Sequence, residues 1–305
     1  MFLNYSESKF DKFGYYLLGS LVIIIFNFIG QIPLTIAFAS SLIESNIQIN
    51  PDANPMDLLK AIPSNLRLFL MLFPFAFSFI GVWLVSNKIH ERSITSYFTS
   101  RTKLDLKRIL FSFSLWASLM IFFILFDLYV NPENYEINFK PVPFLILFFI
   151  SLFFMPIATS LEEFIFRGYL MKGFGNLFRN NLLPLIFTSV IFGVVHISNP
   201  EVSELGYGTM YFYIGTGFYL GIITLLDDGA ELAMGWHAAN NLVASLLVTT
   251  DWTVLQTNAI LKDITEPSMD TEVILNLLIF YPLLIFIFHE KYNWKNSISK
   301  LTSKF

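Results

Sequence analysis

Several long apolar runs constrain this chain more than any other feature of its sequence. One of them, "PVPFLILFFISLFFMPIATS", begins at Pro141 and contains no charged residue. A run of that length crosses the hydrocarbon core of a bilayer as an α-helix. Only 14% of the residues are charged, against about 25% in a soluble globular chain. A β-barrel would instead show segments of about ten residues with alternating polarity. We therefore expect an all-α, polytopic membrane protein.

The apolar runs predict about eight transmembrane helices in one membrane domain covering residues 1–305. The expected spans are 15–43, 67–87, 108–130, 142–161, 182–198, 209–226, 231–249 and 272–289. Asn, Pro and Asp predict a loop at residues 46–56. A cleaved signal peptide is not expected, because the first run is too long and mixed charges precede it. Gly217 and Gly221 in "GTGFYLG" are spaced for close helix packing in the sixth span.

Lysine and arginine alternate between the loops and thereby predict an orientation in the membrane. The cations concentrate in the N-terminus, in residues 88–108 and 167–179, and in the C-terminal tail. Both termini are therefore expected in the cytoplasm, and the low-charge composition suggests the plasma (inner) membrane of a bacterium. One loop breaks the pattern, since Asp227, Asp228 and Glu231 stand between spans six and seven without a cation.

Composition also excludes several kinds of chemistry. Cysteine is absent, which excludes disulfides, iron–sulfur clusters, thiolate zinc sites and a cysteine nucleophile. The net charge of −4 argues against nucleic acid as a partner. The partners that we expect are membrane lipid and a peptide or protein substrate at the membrane. No pattern in the sequence specifies an oligomeric state.

Three charged residues follow the fourth apolar run, in "LEEFIFRG". Residues four apart share one face of an α-helix, so Glu163 and Arg167 are expected to form a pair. Glu162 points away from that pair, and at membrane depth it needs a polar cavity or a partner on another helix. All three residues would be interfacial caps if the fourth span ended just before them. If the helix instead continued through Phe174, Glu162 would lie well inside the membrane.

Two later helices carry isolated polar residues. "FGVVHISNP" places His196 near the end of an apolar helix, and "GWHAANNLVAS" places His237 and Asn241 on one helical face. Asn240 is a competing amide on a neighbouring face. Each motif alone also fits simple hydrogen bonding between membrane helices. By the cation pattern His196 lies toward the non-cytoplasmic side, so it meets Glu162 only if the two helices reach similar depths.

Together these motifs supply a carboxylate, two imidazoles and an amide, which is a set that can hydrolyse an amide bond. A carboxylate can take a proton from water, and His and Asn side chains can donate hydrogen bonds to the developing oxyanion. A metal site is the competing chemistry, because His and Glu also bind zinc. Its ligands would be Glu162, His196 and His237, although no H-E-x-x-H spacing supports it.

The ordered motifs "EEFIFR", "FGVVH" and "HAANN" resemble the E-E-x-x-x-R, F-x-x-x-H and H-x-x-x-N motifs of the CPBP (Abi) family of intramembrane proteases. That family includes type II CAAX prenyl endopeptidases and relatives linked to bacteriocin immunity. The resemblance covers residues 142–250, which implies a catalytic core in spans four to seven. The roles that it implies are water activation by Glu162 with His196, oxyanion stabilisation by His237 and Asn241, and support from Glu163 and Arg167.

The expected function is therefore that of an endopeptidase, of glutamate or metallo type, which cleaves a membrane-associated or lipidated peptide. The glutamate mechanism, which we favour, requires no cofactor, whereas the alternative uses zinc or another divalent metal. A second hypothesis is a non-proteolytic immunity or scaffold protein that binds a peptide or a sensor kinase. A proton-coupled transporter is a third, since buried Glu and His also form relays, but the paired repeats of many transporters are not visible.

Overall fold

The computed structural model describes residues 2–3, 9–45, 58–268 and 275–304, and these are mostly helical. The α-helices are α1 Phe13–Ser45, α2 Ser64–Leu84, α3 Thr95–Phe98, α4 Leu106–Val130, α5 Pro141–Glu163, α6 Met171–Phe178, α7 Leu182–Val194, α8 Pro200–Leu205, α9 Thr209–Asp227, α10 Glu231–Leu247, α11 Tyr281–Tyr292 and α12 Ser297–Thr302. π-Helical segments occupy Val85–Ile89, Phe164–Leu170 and Asn276–Phe280, and short 3-10 turns occupy Lys9–Asp11 and Pro132–Asn134.

A small sheet joins the loops at one end of the helices. Its strands are β1 Tyr135–Ile137, β2 Val248–Thr249 and β3 Leu261–Asp263. Strand β3 lies in the middle, antiparallel to β1 and parallel to β2. The sheet therefore ties the end of α10 to the connection between α4 and α5.

Five helical segments of the described chain are long and apolar enough to cross a membrane. They are Phe13–Glu44, Ser64–Ile89, Leu106–Val130, Pro141–Phe178 and Thr209–Asp227. The predicted helical class is confirmed. Three of the eight predicted spans instead fall on shorter helices, namely α7 with 13 residues, α10 with 17 and α11 with 12. The loop predicted at 46–56 and the start of the eighth predicted span lie mostly outside the described residues.

The helix that begins at Pro141 does not end near residue 161. Phe164 keeps helical backbone angles, and the chain continues through the π-helical segment into α6 without a break. It ends at Phe178, where Arg179 adopts the left-handed conformation with φ 54°. The predicted boundary of 142–161 is therefore too short, and Glu162 lies in the interior of one continuous helix rather than at a cap.

Small residues bring α9 close to α7, as the G-x-x-x-G spacing predicts. A Cβ atom on Gly217 would lie 2.7 Å from the backbone oxygen of Ser189, and one on Gly221 would lie 2.5 Å from a methyl carbon of Leu185. Both distances are shorter than any ordinary contact between these atoms. The predicted role of these glycines in close helix packing is confirmed.

The acidic loop between α9 and α10 packs against the cation-rich segments. Arg101 Nη2 lies 3.2 Å from Asp227 Oδ2, and Asp228 forms an ion pair with Lys300 near the C-terminus. The backbone nitrogen of Phe2 also donates to Asp228 Oδ1, at 3.0 Å. These contacts place both ends of the described chain and the loop after α2 on one face of the protein. The acidic residues that break the cation pattern are thus paired with cations from the segments that establish the pattern.

The packing of α9 on α7 gives a direct stability prediction. Gly217→Ala should lower the thermal unfolding temperature of the detergent-solubilised protein, because overpacking of this kind costs about 1–3 kcal/mol. The matched control is Gly14→Ala, since a Cβ atom at Gly14 would meet nothing within 4 Å. Equal unfolding temperatures for the two variants would contradict the close approach of the helices.

Candidate active site

The charged motif lies at the start of a π-helical segment. Residues Phe164–Leu170 form this segment directly after Glu163, and π-helical turns inside α-helices are frequent at functional sites. Gly168 lets it approach helix α3, because a Cβ atom there would lie 2.7 Å from the backbone oxygen of Tyr97. The widened turn is therefore held by close backbone packing on one side, while its charged residue, Arg167, contacts α7 and α9.

Glu163 is the most enclosed of the charged residues, with a side chain that is 0% exposed. Its Oε1 atom lies 3.3 Å from Arg167 Nη1, so the ion pair predicted from the i,i+4 spacing is present. The same oxygen lies 2.7 Å from His237 Nδ1 on α10. One carboxylate oxygen therefore holds a guanidinium from its own helix and an imidazole from another.

His237 stands between the two adjacent glutamates. A carboxylate oxygen accepts hydrogen bonds, so the contact with Glu163 places a proton on His237 Nδ1. Its Nε2 atom faces Glu162 Oε2 at 3.9 Å, which is too long for a direct hydrogen bond and suits a bridging water molecule. The Glu162 side chain is 18% exposed and has no hydrogen bond to any described residue. The two neighbouring carboxylates therefore occupy different environments.

Arg167 is buried together with Glu163, and its charge is compensated on several sides. Besides the ion pair, its Nη2 lies 3.4 Å from the backbone oxygen of Gly217. Its guanidinium carbon stands 4.2 Å from the centre of the Phe192 ring, which is a cation–π geometry. Removing one partner of such a buried pair leaves an uncompensated charge, so Arg167 and Glu163 stabilise each other.

His196 lies just after α7 and reaches the site through an aromatic group. Its Nδ1 donates to the backbone oxygen of Phe192 at 2.6 Å, and its ring stacks on Tyr213 with centroids 4.6 Å apart. The Phe192 ring in turn lies 6.1 Å from the His237 ring.

The helix that carries Glu162 is longer than predicted, which changes the relation expected between Glu162 and His196. It continues to Phe178, and the chain then turns back directly into α7. Glu162 precedes Phe178 by 16 residues and His196 follows Leu182 by 14, so the two residues lie at similar distances along the chain from this turn. Without the continuation past Leu161, the two side chains would lie at opposite ends of their helices.

Asn241 is one helical turn beyond His237, and its amide is held by its neighbour. Asn240 Nδ2 lies 3.2 Å from Asn241 Oδ1, and Trp116 Nε1 lies 3.1 Å from Asn240 Oδ1. Asn240, the competing amide of the sequence motif, therefore contacts α4 instead of the glutamates. Sequence reasoning missed Trp116 and Tyr213, and neither carries a local signal.

Comparisons with known proteins give one family match and one similar protein. Residues 141–243 match the family described as type II CAAX prenyl endopeptidase Rce1-like. The chain is also 32% identical to the uncharacterized protein YyaK of Bacillus subtilis (strain 168) over 204 residues, which are 66% of this chain and 68% of YyaK. The chain belongs to the Rce1-like family. No solved structure matches it.

Membership in the Rce1-like family confirms the resemblance read from the three motifs. At the level of the family, the protein is an intramembrane CAAX-type protease, and therefore a hydrolase. Its long apolar helices agree with an integral membrane protein. The family implies a peptide or protein substrate at the membrane.

A metal site in this Rce1-like protein would need His, Asp or Glu side chains that converge on one point. Within residues 2–3, 9–45, 58–268 and 275–304, no group of three or more His, Asp or Glu side chains is arranged to hold a metal ion. Glu162, His196 and His237 therefore do not fit the proposed ligand set.

The buried ion pair predicts a stability loss with a specific rescue. Arg167→Met should lower the free energy of unfolding by about 3–5 kcal/mol, because it leaves the Glu163 charge without its cation. The double variant Arg167→Met/Glu163→Gln should recover much of the loss, since glutamine has no charge and still accepts from His237. Thermal unfolding in detergent measures both variants. A double variant as unstable as the single one would contradict the pairing.

Proposed function

We propose that this Rce1-like protein is an endopeptidase that cleaves a membrane-associated or lipidated peptide with a water molecule activated by Glu162 and His196. Its membrane domain would contain about eight spans, with the three shorter helices α7, α10 and α11 completing the five long ones, and with the catalytic core at residues 142–250. The observation that carries the proposal is the partly open Glu162 carboxylate, 3.9 Å from His237 Nε2 and beside the enclosed Glu163–Arg167 pair.

The different surroundings of the two glutamates favour Glu162 as the general base. Glu163 has a fully enclosed side chain whose Oε1 is shared by Arg167 and His237, so it is not available to a water molecule and a substrate. Glu162 has no hydrogen bond to any described residue and retains an exposed edge. A general base must reach the proton that it removes, and of the two carboxylates Glu162 meets that requirement.

His196 supports water activation through its ring nitrogens. Because the backbone oxygen of Phe192 accepts from Nδ1, the neutral imidazole carries its proton there and offers Nε2 as an acceptor. Nε2 would accept one hydrogen of the catalytic water while Glu162 removes the other. The hydroxide would then attack the peptide carbonyl carbon, and Glu162 would return its proton to the leaving nitrogen as the C–N bond breaks.

His237 and Asn241 are the proposed donors to the oxyanion. His237 Nδ1 is bonded to Glu163, so Nε2 donates only when the imidazole carries both protons, and the Glu163 carboxylate stabilises that cation. Asn241 would donate from Nδ2. Loss of one such donor in a protease slows catalysis by about 10²–10³-fold, which is the scale that we expect for each of these groups.

Glu162→Gln should strongly reduce cleavage without preventing insertion or folding. We expect a loss of about 10²–10⁴-fold in kcat, because glutamine cannot take a proton from water. The assay uses proteoliposomes and internally quenched peptides, with a farnesylated or an unmodified cysteine four residues from the C-terminus. The matched control is Glu133→Gln, on the exposed turn before β1, which should cleave like the unmodified protein.

Two results of that assay would overturn the proposal. Cleavage by Glu162→Gln at the unmodified rate would exclude Glu162 as the base. Peptide binding without cleavage, equal for the unmodified protein and the Glu162→Gln variant, would favour the non-proteolytic scaffold hypothesis.

Metal removal provides an independent prediction. Dialysis against EDTA and 1,10-phenanthroline should leave the cleavage rate unchanged, because no step in the proposed reaction needs a bound metal. Elemental analysis of the same samples verifies that divalent metals have been removed. Loss of cleavage that added zinc restores would favour a metal-dependent reaction instead.

A further inference from the structure

Three side chains from two helices form a hydrogen-bonded chain beside the proposed oxyanion donors. Trp116 on α4 donates from Nε1 to Asn240 Oδ1 at 3.1 Å. Asn240 on α10 donates from Nδ2 to Asn241 Oδ1 at 3.2 Å. No described residue accepts a hydrogen bond from Asn241 Nδ2. The chain thus ends in an amide nitrogen with unused donors.

The direction of this chain follows from elementary hydrogen-bond chemistry. An indole nitrogen only donates, so the atom of Asn240 that faces Trp116 must be its oxygen. The nitrogen of Asn240 then faces Asn241, and it requires an oxygen in return. A reversed amide at either position would set two donors against each other. Trp116 therefore determines which way the Asn241 amide points, although it does not touch Asn241.

The first member of the chain is held firmly in place. Trp116 is buried, and its ring stacks on that of Trp236 with centroids 5.1 Å apart. Helices α4 and α10 also touch closely at Gly235, where a Cβ atom would lie 2.2 Å from the backbone oxygen of Ile109. The donor thus sits on a closely packed helix pair, which favours a fixed orientation of the amides that follow it.

We propose that Trp116 and Asn240 are positioning residues that keep the N–H groups of Asn241 directed at the reacting carbonyl oxygen. This inference rests on the proposed function, in which Asn241 stabilises the oxyanion. The competing explanation is that the chain only joins α4 to α10. The two explanations differ in one respect, since a purely structural link would affect stability without a selective effect on kcat.

The activity experiment compares Trp116→Phe with Trp252→Phe, a tryptophan that follows β2. Phenylalanine keeps an aromatic ring in both places, but only Trp116 loses a hydrogen bond, because the buried Trp252 Nε1 has no partner among the described residues. Trp116→Phe should lower kcat by about tenfold or more, short of the 10²–10³-fold cost of a lost oxyanion donor, with little change in KM. Trp252→Phe should leave kcat unchanged.

A second variant tests the direction of the chain. In Asn240→Asp the carboxylate accepts from Trp116 and also from Asn241, which turns the Asn241 amide around. Its kcat should therefore fall as far as that of Asn241→Ala. Adding Trp116→Phe to Asn241→Ala should cause no further loss, because residues that act through one group are not additive. Additive losses would overturn the positioning role.

A spectroscopic readout separates this proposal from the proposed function. The protein contains five tryptophans, so its indole ¹H–¹⁵N resonances can be assigned by single Trp→Phe variants. The Trp116 indole resonance should shift in Asn240→Ala, while the Trp236 resonance should shift less. A Trp116 resonance that does not respond would overturn the hydrogen-bonded chain whether or not cleavage is found. Absence of cleavage by the unmodified protein would instead overturn the proposed function, and the catalytic role of the chain with it.

Discussion

The arrangement of the site depends on one buried carboxylate, that of Glu163. Its Oε1 atom binds Arg167 and His237, and so connects the long α5–α6 helix to α10. Arg167 extends the connection to α9 through the Gly217 backbone and to α7 through the Phe192 ring. A charge buried this deeply is tolerated only with partners, so the four helices that carry the site are held together by its neutralisation.

This arrangement gives the two adjacent glutamates different surroundings. Glu163 is committed to the structure, while Glu162, one residue earlier, turns toward His237 Nε2 and stays partly open. The long helix continues past residue 161, where hydropathy predicts its end, so Glu162 lies inside it. The chain then turns back into α7, and His196 lies beside Phe192, whose ring faces that of His237. The chemistry that we propose uses the Glu162 carboxylate and the Nε2 atoms of His196 and His237, which have no hydrogen bond to a described residue.

The sequence predicted the helical class, the Glu163–Arg167 pair and the close packing at Gly217, because each rests on hydropathy or on local helical spacing. It did not predict the contact between Glu163 and His237, which joins residues 74 positions apart, nor the role of Trp116 beside Asn240. The helix extends beyond the predicted boundary near residue 161, in agreement with the alternative of a helix that continues through Phe174. The charges that suggested a boundary include a Glu163–Arg167 pair that is buried among other helices. Hydropathy alone cannot distinguish an interfacial charge from one that is paired inside the protein.

The central claim is that Glu163 holds the site together and Glu162 performs the chemistry. The most direct test measures kcat and the thermal unfolding temperature for both Glu162→Gln and Glu163→Gln. We predict that Glu162→Gln loses cleavage and unfolds at the unmodified temperature, whereas Glu163→Gln unfolds at a clearly lower temperature because Arg167 loses its counter-charge. An active Glu162→Gln variant, or a Glu163→Gln variant with unchanged stability, would contradict this account.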